Sequence, residues 1–454
     1  MMGLAEAARM VQGRLVGEDA RFARVSTDTR SIGRGELFVA IRGERFDGHE
    51  FLGVAAARGA AGALVDERFG GSAPLPLVVA DETRLALGRL GRGWRERFAP
   101  TLIAITGSNG KTTTKEMLAS ILRAHAGEAA VLATRGNLNT DIGVPLTLLE
   151  MASPHAWCVV ELGMNHPGEI AALADIARPN IALVNNAQRE HLEFMRSVDA
   201  VAAENAAVFA ALPADGIAVI NADDERAELF RAAAAGRRRV EFGLDARADV
   251  GGGYALRALE SEIVLRTPAG EASATLAIPG AHNVRNALAA TACAVAAGVP
   301  LQAIAQGLSA FRPCAGRLQV RRTAEATVID DSYNANPDSV RAAIDVLASC
   351  NGAAVLVLGD MGEVGEQGAD FHLEIGRYAA ERGIGALLAI GELTVHSVAG
   401  FGPGARHFAT AEELAAAARA QARDGATLLV KGSRFMRMER IVSALTGTGG
   451  AGAH

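Results

Sequence analysis

Short apolar runs alternate with longer segments of helical periodicity through most of this chain. In the middle of the sequence the apolar runs are Leu102–Ile105, Trp157–Glu161, Ile181–Asn185 and Ile217–Asn221. Continuous apolar runs separated by helices are typical of strands in a parallel sheet that helices cover on both faces. The pattern therefore predicts an α/β fold with a parallel central sheet over residues 100–313.

The last part of the chain repeats this alternation independently. Its predicted strands are Thr327–Asp330, Val355–Gly359, Ala386–Ile390 and Leu428–Lys431. Its predicted helices cover residues 338–349, 370–382, 411–423 and about 437–445. We expect a C-terminal domain over residues 314–454 with a Rossmann-like, doubly wound sheet. The glycine-rich segment 446–454 is expected to be a disordered tail.

The start of the chain mixes short strands with short helices. Its predicted strands are Glu36–Ile41, Ala63–Val65 and Leu77–Ala80, and its predicted helices cover residues 50–59 and 82–98. Pro100 marks a boundary, so these elements predict a small mixed α/β domain over residues 1–99. A β-rich stretch from Gly251 to about Ile278 and a helix over Val284–Ala297 complete the central domain.

The turn after the first central strand is a candidate phosphate loop. Gly107-Ser-Asn-Gly110 follows that strand, and Lys111-Thr-Thr113 opens a helix predicted to run to about Ala126. Glycines let successive N–H groups point at anionic oxygens, and the helix N-terminus adds positive potential. The usual pattern would place a further glycine at Ile105, so this loop is a shortened form. The predicted phosphate ligands are Gly107, Ser108, Asn109, Gly110, Lys111, Thr112 and Thr113.

Lysine is scarce in this chain, since only three of its 45 basic residues are lysines: Lys111, Lys115 and Lys431. A compact ammonium fits among phosphate oxygens where a wide guanidinium would not. We therefore assign Lys111 to the β- and γ-phosphates of a nucleotide and the Thr112 hydroxyl to magnesium. The other two lysines are open between a phosphate role and a structural role.

Composition excludes several classes of function. The net charge is −6, the pI is near 6.0, and no basic stripe is interleaved with aromatic residues, so nucleic-acid binding is not expected. The four cysteines form no C-x-x-C pair, which argues against a zinc site or a disulfide framework. The most apolar stretch, Ala287–Val299, is too short to span a membrane, and no signal peptide is evident. We expect a cytoplasmic protein that acts as a monomer.

Polar residues stand at the ends of four predicted strands. Glu161 ends one central strand, and His191 follows the next one in the string Gln188-Arg-Glu-His-Leu-Glu193. Ligands of open α/β sheets bind beyond the carboxyl ends of the strands, and magnesium prefers oxygen ligands. Glu161 is thus the predicted magnesium ligand, while His191 is either a further ligand or a hydrogen-bonded structural histidine. Polar strings at Asp330–Pro337 and Asp360–Glu363 suggest that the domain interface forms one active site.

Taken together, these strings resemble the Mur ligases of peptidoglycan synthesis, most of all the members that add a dipeptide. The resemblance covers nearly the whole chain. The strings that carry it are Ser26-Thr-Asp-Thr-Arg30, Gly35-Glu-Leu-Phe-Val-Ala40, Asp47-Gly-His-Glu-Phe51, Thr106–Glu116, Asn137–Leu146, Glu161–Asn165, His191-Leu-Glu193, Gly280–Asn286, Gly316-Arg317, Asp330–Pro337, Leu358–Glu363 and Lys431-Gly-Ser-Arg434.

The resemblance implies a three-domain enzyme. An N-terminal domain would bind the UDP-sugar peptide, a central domain would be the ATPase, and a C-terminal domain would be mobile. ATP would phosphorylate the terminal carboxylate of UDP-N-acetylmuramoyl-tripeptide, and the amino group of D-alanyl-D-alanine would attack the acyl phosphate. Catalysis would consist mostly of positioning and of charge neutralisation by Mg²⁺ and Lys111.

The resemblance also implies roles for individual positions. Catalytic roles fall on Lys111, Glu161 and His191, and the magnesium ligands would be Thr112, Glu161 and His191. Asn286 would contact the adenine, and Arg317 and Asp331 would contact the nucleotide from the other side of the cleft. The remaining substrate contacts implied are Asp28, Arg30, Asp47 and Gly48 for the UDP-sugar, Asn139 and Thr140 for the muramoyl peptide, and Asn334 and Asn336 for the dipeptide.

One departure from the family concerns a lysine that many Mur ligases carry as a carbamate bridging two magnesium ions. Asn205 stands at that position here, in Val201-Ala-Ala-Glu-Asn205. Either Glu204 or water would then complete the second metal site, or one magnesium would bind weakly.

Three other functions are compatible with the phosphate loop. A Mur ligase that adds a diamino acid would use the same chemistry, but the D-N-P-R string expected of the diaminopimelate-adding type is absent. Folylpolyglutamate synthase shares the loop but not the Thr-Asp-Thr-Arg and Asp-Gly-His segments. A nucleotide-binding module without turnover is disfavoured by intact Lys111, Thr112 and Glu161.

Overall fold

The α/β fold predicted from the sequence is confirmed by the computed structural model, which describes residues 1–43 and 46–447. The predicted domain boundaries at 99/100 and 313/314 fall in segments between helices and strands. The placement of these boundaries stays a prediction.

The N-terminal domain is built on a small mixed sheet. Its elements are β1 (Met2–Gly3), α1 (Leu4–Met10), β2 (Arg14–Val16), β3 (Arg21–Phe22), β4 (Val25–Ser26), β5 (Leu37–Val39), α2 (Leu52–Ala57), β6 (Gly62–Asp66), β7 (Leu77–Ala80) and α3 (Thr83–Arg95). The sheet has the order β2-β7-β6-β5-β4, with β2 antiparallel to β7 and the other pairs parallel. β1 pairs separately with β3.

The central domain contains the predicted parallel sheet. Its elements are β8 (Thr101–Thr106), α4 (Lys111–Ala126), β9 (Val131–Ala133), α5 (Gly143–Leu149), β10 (Trp157–Glu161), α6 (Glu169–Ala177), β11 (Ile181–Val184), α7 (Leu192–Met195), α8 (Val198–Ala206), β12 (Ile217–Asn221), α9 (Ala227–Ala233), β13 (Arg238–Phe242), β14 (Gly251–Leu256), β15 (Ser261–Thr267), β16 (Gly270–Leu276), α10 (Ala281–Ala296) and α11 (Leu301–Ala310). The parallel order is β13-β12-β11-β8-β10-β9, while β14-β15-β16 form an antiparallel sheet.

The C-terminal domain repeats the doubly wound arrangement. Its elements are β17 (Gln319–Arg322), β18 (Ala326–Asp331), α12 (Pro337–Ala348), β19 (Ala354–Gly359), α13 (Gly368–Glu381), β20 (Ala386–Ile390), α14 (Thr394–Phe401), β21 (Ala405–Phe408), α15 (Ala411–Gln421), β22 (Ala426–Lys431) and α16 (Glu439–Thr446). The order is β17-β18-β22-β19-β20-β21, and only β17 is antiparallel to its neighbour.

Alternation along β8 shows how the central sheet is covered. Ile103 and Ile105 join one buried core with side chains of α4 and α10, whereas Leu102 and Ala104 join a second core on the opposite face. Successive side chains of a strand point to opposite faces, so a run that is apolar at every position is buried on both. This double cover fixes the strands, and their carboxyl ends therefore form a rigid edge for the site.

The short edge strands were not predicted from the sequence. β9 and β21 contain few residues, and β17 (Gln-Val-Arg-Arg) is mostly polar, so none of them shows a long apolar run. The predicted tail is corrected at its start, because Thr446 still belongs to α16. Residues 448–454 lie outside the described part of the chain. Within the described residues, no helix combines the length and apolarity that crossing a bilayer would require.

Candidate active site

The phosphate loop connects β8 directly to α4. Gly107 has φ +129° and Gly110 has φ +80°, which side chains rarely allow. A Cβ atom on Gly110 would lie 2.2 Å from Oδ1 of Asn286, and one on Gly107 would lie 2.9 Å from the backbone nitrogen of Asn186. Both glycines are therefore required by backbone conformation and by lack of space. The first turn of α4 faces the loop, as anion binding requires.

Lys111 is curled over this loop. Its Nζ donates hydrogen bonds to the carbonyls of Gly107 at 2.6 Å and Ser108 at 3.1 Å, and it lies 3.4 Å from Oε2 of Glu190. The ammonium therefore occupies the concave side of the turn, where phosphate oxygens would replace the carbonyl contacts. Because these contacts are close, the loop holds a point charge with little room for a wider group.

The other side chains of the loop are tied to the segment after β11. The Ser108 hydroxyl accepts a hydrogen bond from the backbone of Gln188 at 2.9 Å. The backbone nitrogen of Asn109 donates to Oδ1 of Asn186 at 2.8 Å. Thr113 is buried in the first turn of α4, while Thr112 is half-buried. The loop is thus held in shape before any ligand arrives.

Glu161 is a buried carboxylate at the end of β10, with 2% of its surface exposed. Its Oε1 accepts a hydrogen bond from Nδ2 of Asn139 at 2.8 Å, and its backbone nitrogen donates to Oγ1 of Thr134 at 3.0 Å. Its Oε2 is buried and has no hydrogen-bond partner among the residues that the structure describes. A buried anionic oxygen without a partner is costly, and a cation would satisfy it. Asn139 therefore orients this carboxylate, while Thr140 is exposed nearby.

Two of the three lysines make buried contacts with protein groups in the described part of the chain. Lys115 is fully buried, and its Nζ donates to the carbonyl of Thr134 at 2.6 Å and lies 2.7 Å from Glu116. Lys431 is also buried, and its Nζ donates to Oδ2 of Asp331 at 2.6 Å and to the carbonyl of Asn334 at 2.9 Å. Lysine scarcity therefore indicates a phosphate position for Lys111 alone.

His191 stands at a joint between the central and C-terminal domains. It has a left-handed backbone, with φ +54°. Its Nδ1 lies 2.6 Å from Oε2 of Glu363, in the loop after β19, and its Nε2 lies 3.5 Å from Oε1 of Glu190. The close approach of the His191 ring lowers the pKa of the Glu363 carboxyl, against the opposing effect of burial. The imidazole is thus held between carboxylates from both domains.

Further contacts join the C-terminal domain to the phosphate loop. Nη2 of Arg317 donates to Oγ1 of Thr112 at 3.4 Å, and its guanidinium lies 3.9 Å from the ring centroid of Tyr333. Nδ2 of Asn336 donates to Oδ1 of Asn109 at 2.9 Å. The structure therefore brings two predicted C-terminal residues onto the loop from the far side of the cleft.

An ion-pair cluster holds the same interface. Arg189 donates to Asp338 at 2.6 Å and to Glu374 at 2.8 Å, and its guanidinium lies over the ring of Phe371. Arg341 also donates to Glu374, at 3.1 Å. The side chains of Arg189 and Asp338 are only about a quarter exposed, so this pair is less screened than a surface salt bridge. It fixes the segment that carries Glu190 and His191.

The remaining predicted residues of the cleft have partners of their own. Oδ1 of Asp331 accepts from the backbone of Leu318 at 3.1 Å, beside Arg317. Asn286 is buried against Gly110, and its Oδ1 accepts from Nδ2 of Asn185 at 3.0 Å. The oxygen of its amide is thus already used at the loop.

The predicted UDP-sugar residues lie apart from this edge, in the N-terminal domain. Asp28 pairs with Arg30, and their contact raises the pKa of the Arg30 guanidinium. Asp47 pairs with Arg42 and His49. Gly48 is required by space, because a Cβ there would lie 2.7 Å from the backbone nitrogen of Ile41. Asp28 and Arg30 thus form one ion pair, and Asp47 forms another polar group immediately before the short 3-10 helix Gly48–Phe51.

The side chains at this sheet edge bear on whether a magnesium ion could bind there. Among residues 1–43 and 46–447, no group of three or more His, Cys, Asp or Glu is arranged to hold a metal ion. Magnesium bound with a nucleotide takes most of its ligands from phosphates and water, and only one or two from carboxylates. The unpartnered Oε2 of Glu161 and the Thr112 hydroxyl fit that role.

Sequence reasoning missed several residues that the structure places at the site. Arg189 and Glu190 stand directly before His191, and the sequence pattern alone predicts no role for either residue. Thr134 supports Glu161 and lies on no motif. Glu363 was seen at a strand end, but its contact with His191 depends on the domain interface. Charged residues directly before a candidate ligand were the signal available for the first pair.

Family comparisons agree with this geometry. The description "Mur ligase middle domain" matches residues 105–294, "Mur ligase, glutamate ligase domain" matches residues 316–434, and "Mur ligase family, catalytic domain" matches residues 21–84. The UDP-N-acetylmuramoyl-tripeptide--D-alanyl-D-alanine ligase of Escherichia coli (strain K12) is 39% identical over 451 residues, which cover 98% of each chain. The chain belongs to the Mur ligase family.

Solved Mur ligase structures share the whole architecture. MurF from Acinetobacter baumannii superposes with a TM-score of 0.91 at 36% identity, covering 98% of each chain. MurF ligase from Thermotoga maritima in complex with ADP gives a TM-score of 0.83 at 25% identity, covering 94% of this chain and 97% of that one. The resemblance inferred from the motifs is thereby confirmed, and the three-domain arrangement is that of this Mur ligase.

Proposed function

We propose that this Mur ligase joins D-alanyl-D-alanine to the terminal carboxylate of UDP-N-acetylmuramoyl-tripeptide and hydrolyses ATP to ADP and phosphate. The observation that carries the chemistry is the ammonium of Lys111 inside the loop of Gly107 and Gly110, with Arg317 of the C-terminal domain bound to Thr112 at the same loop. The substrates follow from full-length relatives of that name at 32–39% identity. The reaction belongs in the cytoplasm, where ATP and nucleotide-linked precursors are present.

The reaction would proceed in two steps. A carboxylate oxygen of the tripeptide attacks the γ-phosphorus, the bond to the β-phosphate oxygen breaks, and ADP leaves. The dipeptide amine then attacks the acyl carbon, the carbon–oxygen bond to phosphate breaks, and the amine proton passes to solvent or phosphate. Both steps depend on orienting charged groups rather than on a protein nucleophile.

Residues of the loop would supply the charge that the phosphates need. Lys111 would leave the carbonyls of its own loop for the β- and γ-phosphates, as an ammonium does in phosphate loops. Magnesium, when bound, neutralises charge on the phosphate oxygens, and Thr112, Glu161 and His191 would hold it. Arg317 would approach the nucleotide from the C-terminal domain, where stacking on Tyr333 fixes its guanidinium.

The remaining predicted residues would contact the nucleotide, the UDP-sugar and the muramoyl peptide. Asn286 is beside the loop and could contact the nucleotide through its NH₂ group, and Asp331 would act from its pair with Lys431. Asp28, Arg30, Asp47 and Gly48 would line the UDP-sugar site, while Asn139 and Thr140 would approach the muramoyl peptide beside Glu161.

The dipeptide has two candidate locations. Asn336 is already engaged with Asn109 and caps α12, and the Asn334 side chain accepts from its own neighbour's nitrogen. A cavity of about 620 Å³ is lined by the loops after β19 and β20, by Phe435 and by Glu193 of the central domain. Ser433 joins Gly362 of this lining to the carbonyl of Ala335, which is next to Asn334. We propose this cavity as the entry of the dipeptide toward Asn334.

Phosphate release is the direct test of the proposed function. Purified protein with MgATP should release phosphate only when UDP-N-acetylmuramoyl-tripeptide and D-alanyl-D-alanine are both present, and mass spectrometry should detect the pentapeptide product. One control mixture contains the dipeptide-linked precursor and a diamino acid in place of the tripeptide and D-alanyl-D-alanine. A second control mixture contains folate and glutamate in place of both substrates. Turnover in either control mixture, without turnover in the first, would refute the assignment.

A further inference from the structure

Glu190 is a buried carboxylate at the phosphate loop that the reaction described above does not use. It is 9% exposed, and it lies in the segment that follows β11. Its Oε2 is 3.4 Å from Nζ of Lys111, and its Oε1 is 3.5 Å from Nε2 of His191. In the nucleotide-free enzyme Glu190 is therefore the counterion of the lysine that phosphates would claim.

Binding of a nucleotide would remove that counterion. The N–H donors of the Lys111 ammonium already contact two carbonyls and Glu190. The oxygens of a triphosphate are stronger acceptors than a carboxylate at 3.4 Å, so the ammonium would move to them. A buried carboxylate that loses its cation is strongly destabilised. A divalent cation arriving with the nucleotide would restore the balance at Glu190, and it would do so beside His191.

A second buried oxygen at the same edge is Oε2 of Glu161. Within residues 1–43 and 46–447 it makes no hydrogen bond. Glu161 ends β10, Glu190 follows β11, and β8 with its phosphate loop lies between these two strands. Parallel strands present their carboxyl ends on one edge of the sheet, so these carboxylates flank the loop from opposite sides.

Glu204 and Asn205, the alternatives for a second metal site, already have hydrogen-bond partners. Both carboxylate oxygens of Glu204 accept hydrogen bonds at 2.8 Å from the backbone nitrogens of Gly168 and Ile170, at the start of α6. Oδ1 of Asn205 accepts from the Thr106 hydroxyl at 2.6 Å, and its Nδ2 donates to a carbonyl of its own helix at 2.9 Å. Each side-chain oxygen of Glu204 and Asn205 thus already accepts a hydrogen bond, whereas Oε2 of Glu161 accepts none within the described residues.

We propose that Glu190 is a magnesium ligand of the nucleotide-bound enzyme, on the side of the phosphate loop opposite Glu161, and that it exchanges Lys111 for the metal when the triphosphate binds. Its carboxylate supplies an anionic oxygen, which the neutral amide of Asn205 cannot supply. The proposal rests on the use of MgATP in the proposed function.

Metal binding to the ADP complex tests this without any turnover. Mn²⁺ is titrated into protein with ADP and followed by electron paramagnetic resonance, while ADP affinity in EDTA is measured by calorimetry. Glu190→Gln keeps the shape and loses the charge, so Mn²⁺ affinity should fall at least about tenfold while metal-free ADP affinity is not weakened. Glu190→Asp should retain more of the Mn²⁺ affinity than the glutamine variant does.

A second variant gives an effect of opposite sign and guards against misfolding of the first. Lys111→Met removes the competing cation, so Mn²⁺ should bind more tightly to the nucleotide-free protein than it binds to wild type. Glu204→Gln serves as the rival arm, and its Mn²⁺ affinity in the ADP complex should match wild type.

Four outcomes would overturn the proposal: unchanged Mn²⁺ affinity in Glu190→Gln, equal weakening of ADP with and without metal, no gain in Lys111→Met, or a loss confined to Glu204→Gln. Neither peptide substrate is present in these titrations. A failed ligation assay would thus refute the proposed function and leave the metal result interpretable on its own.

Discussion

His191 and Glu363 meet across the domain interface, with 2.6 Å between Nδ1 of the imidazole and Oε2 of the carboxylate. Both residues have left-handed backbones, with φ +54° and +59°. Such conformations are unfavourable for side-chain-bearing residues and are concentrated at functional sites. The pair orients the imidazole from the C-terminal domain, so under the proposed function the position of that domain would affect the arrangement of the magnesium ligands.

Replacing Glu363 by Gln should weaken the response to magnesium. The imidazole would lose its anionic partner, and such supporting contacts affect metal affinity roughly tenfold to a hundredfold. The magnesium concentration for half-maximal phosphate release should rise accordingly, while the rate at saturation changes less. Glu366→Gln, an exposed carboxylate on the same loop, is the matched control. A titration of Glu363→Gln that overlays wild type would reduce the contact to packing.

Lys111→Ala should abolish ligation while the protein still folds, because the side chain serves phosphate charge. Its melting temperature should fall, since buried Glu190 loses its counterion. Lys111→Arg should be nearly as inactive, since Nζ lies 2.6 Å and 3.1 Å from loop carbonyls and a guanidinium is wider. Phosphate release in the presence of both substrates measures activity. If the arginine variant keeps most of that activity, charge alone suffices and the shape argument fails.

Arg189→Gln should lower kcat/KM for the dipeptide roughly tenfold, which corresponds to about 1.4 kcal/mol. The guanidinium holds Asp338 and Glu374 across the cleft, and its loss favours the open arrangement. Because Asp338→Asn removes the same interaction, the double variant should be no worse than either single variant. Steady-state kinetics of the three proteins measure the coupling, and independent, additive losses would contradict it.

The exposed pair Arg84–Asp141 provides a control for that cycle. Its side chains are 40% and 49% exposed, so screening leaves it a small contribution. Arg84→Gln should leave the dipeptide kinetics unchanged. Small-angle X-ray scattering should also show a larger radius of gyration for Arg189→Gln than for wild type. The control variant should have the same radius of gyration as wild type.

His282 should make the fold sensitive to mild acid. Burial lowers the pKa of this imidazole from 6.5 to about 4, helped by the charges of Lys431 and Arg285 and opposed by Asp345. The unfolded chain takes up the proton first, so stability is complete above pH 6.5 and declines as the pH falls toward 4. His282→Gln removes this dependence.

Melting at about pH 7.5 and about pH 5 measures the effect, which is at most about 2 kcal/mol at the lower pH. The melting temperature of wild type should fall more than that of His282→Gln. Equal falls in the two proteins would show that His282 is protonated equally in the folded and unfolded states.

Activity should not depend on dissolved carbon dioxide. A carbamate needs a free lysine amine, yet Asn205 occupies the expected position, and the ammonium groups of Lys115 and Lys431 donate to partners at 2.6 Å. Phosphate release should therefore be unchanged when carbon dioxide is removed and when bicarbonate is restored. A reversible loss on removal would mean that a lysine is carbamylated after all.

The features that short sequence windows encode could be predicted without a structure. Apolar runs such as Leu102–Ile105 fix a strand buried on both faces, and Gly107 to Lys111 fix the turn and the helix start that follow it. These depend on local periodicity, backbone freedom and charge. The fold class, the family and the position of the phosphate loop were therefore accessible without coordinates.

The contacts between side chains that are distant in sequence depend instead on the folded chain. Lys111 and Glu190 are 79 positions apart, and Asn109 and Asn336 are 227 positions apart. Nor could composition separate Lys111 at the loop from Lys115, whose ammonium is buried against a carbonyl. Burial and pairing depend on how loops of different lengths converge at one sheet edge, and no local pattern carries that information.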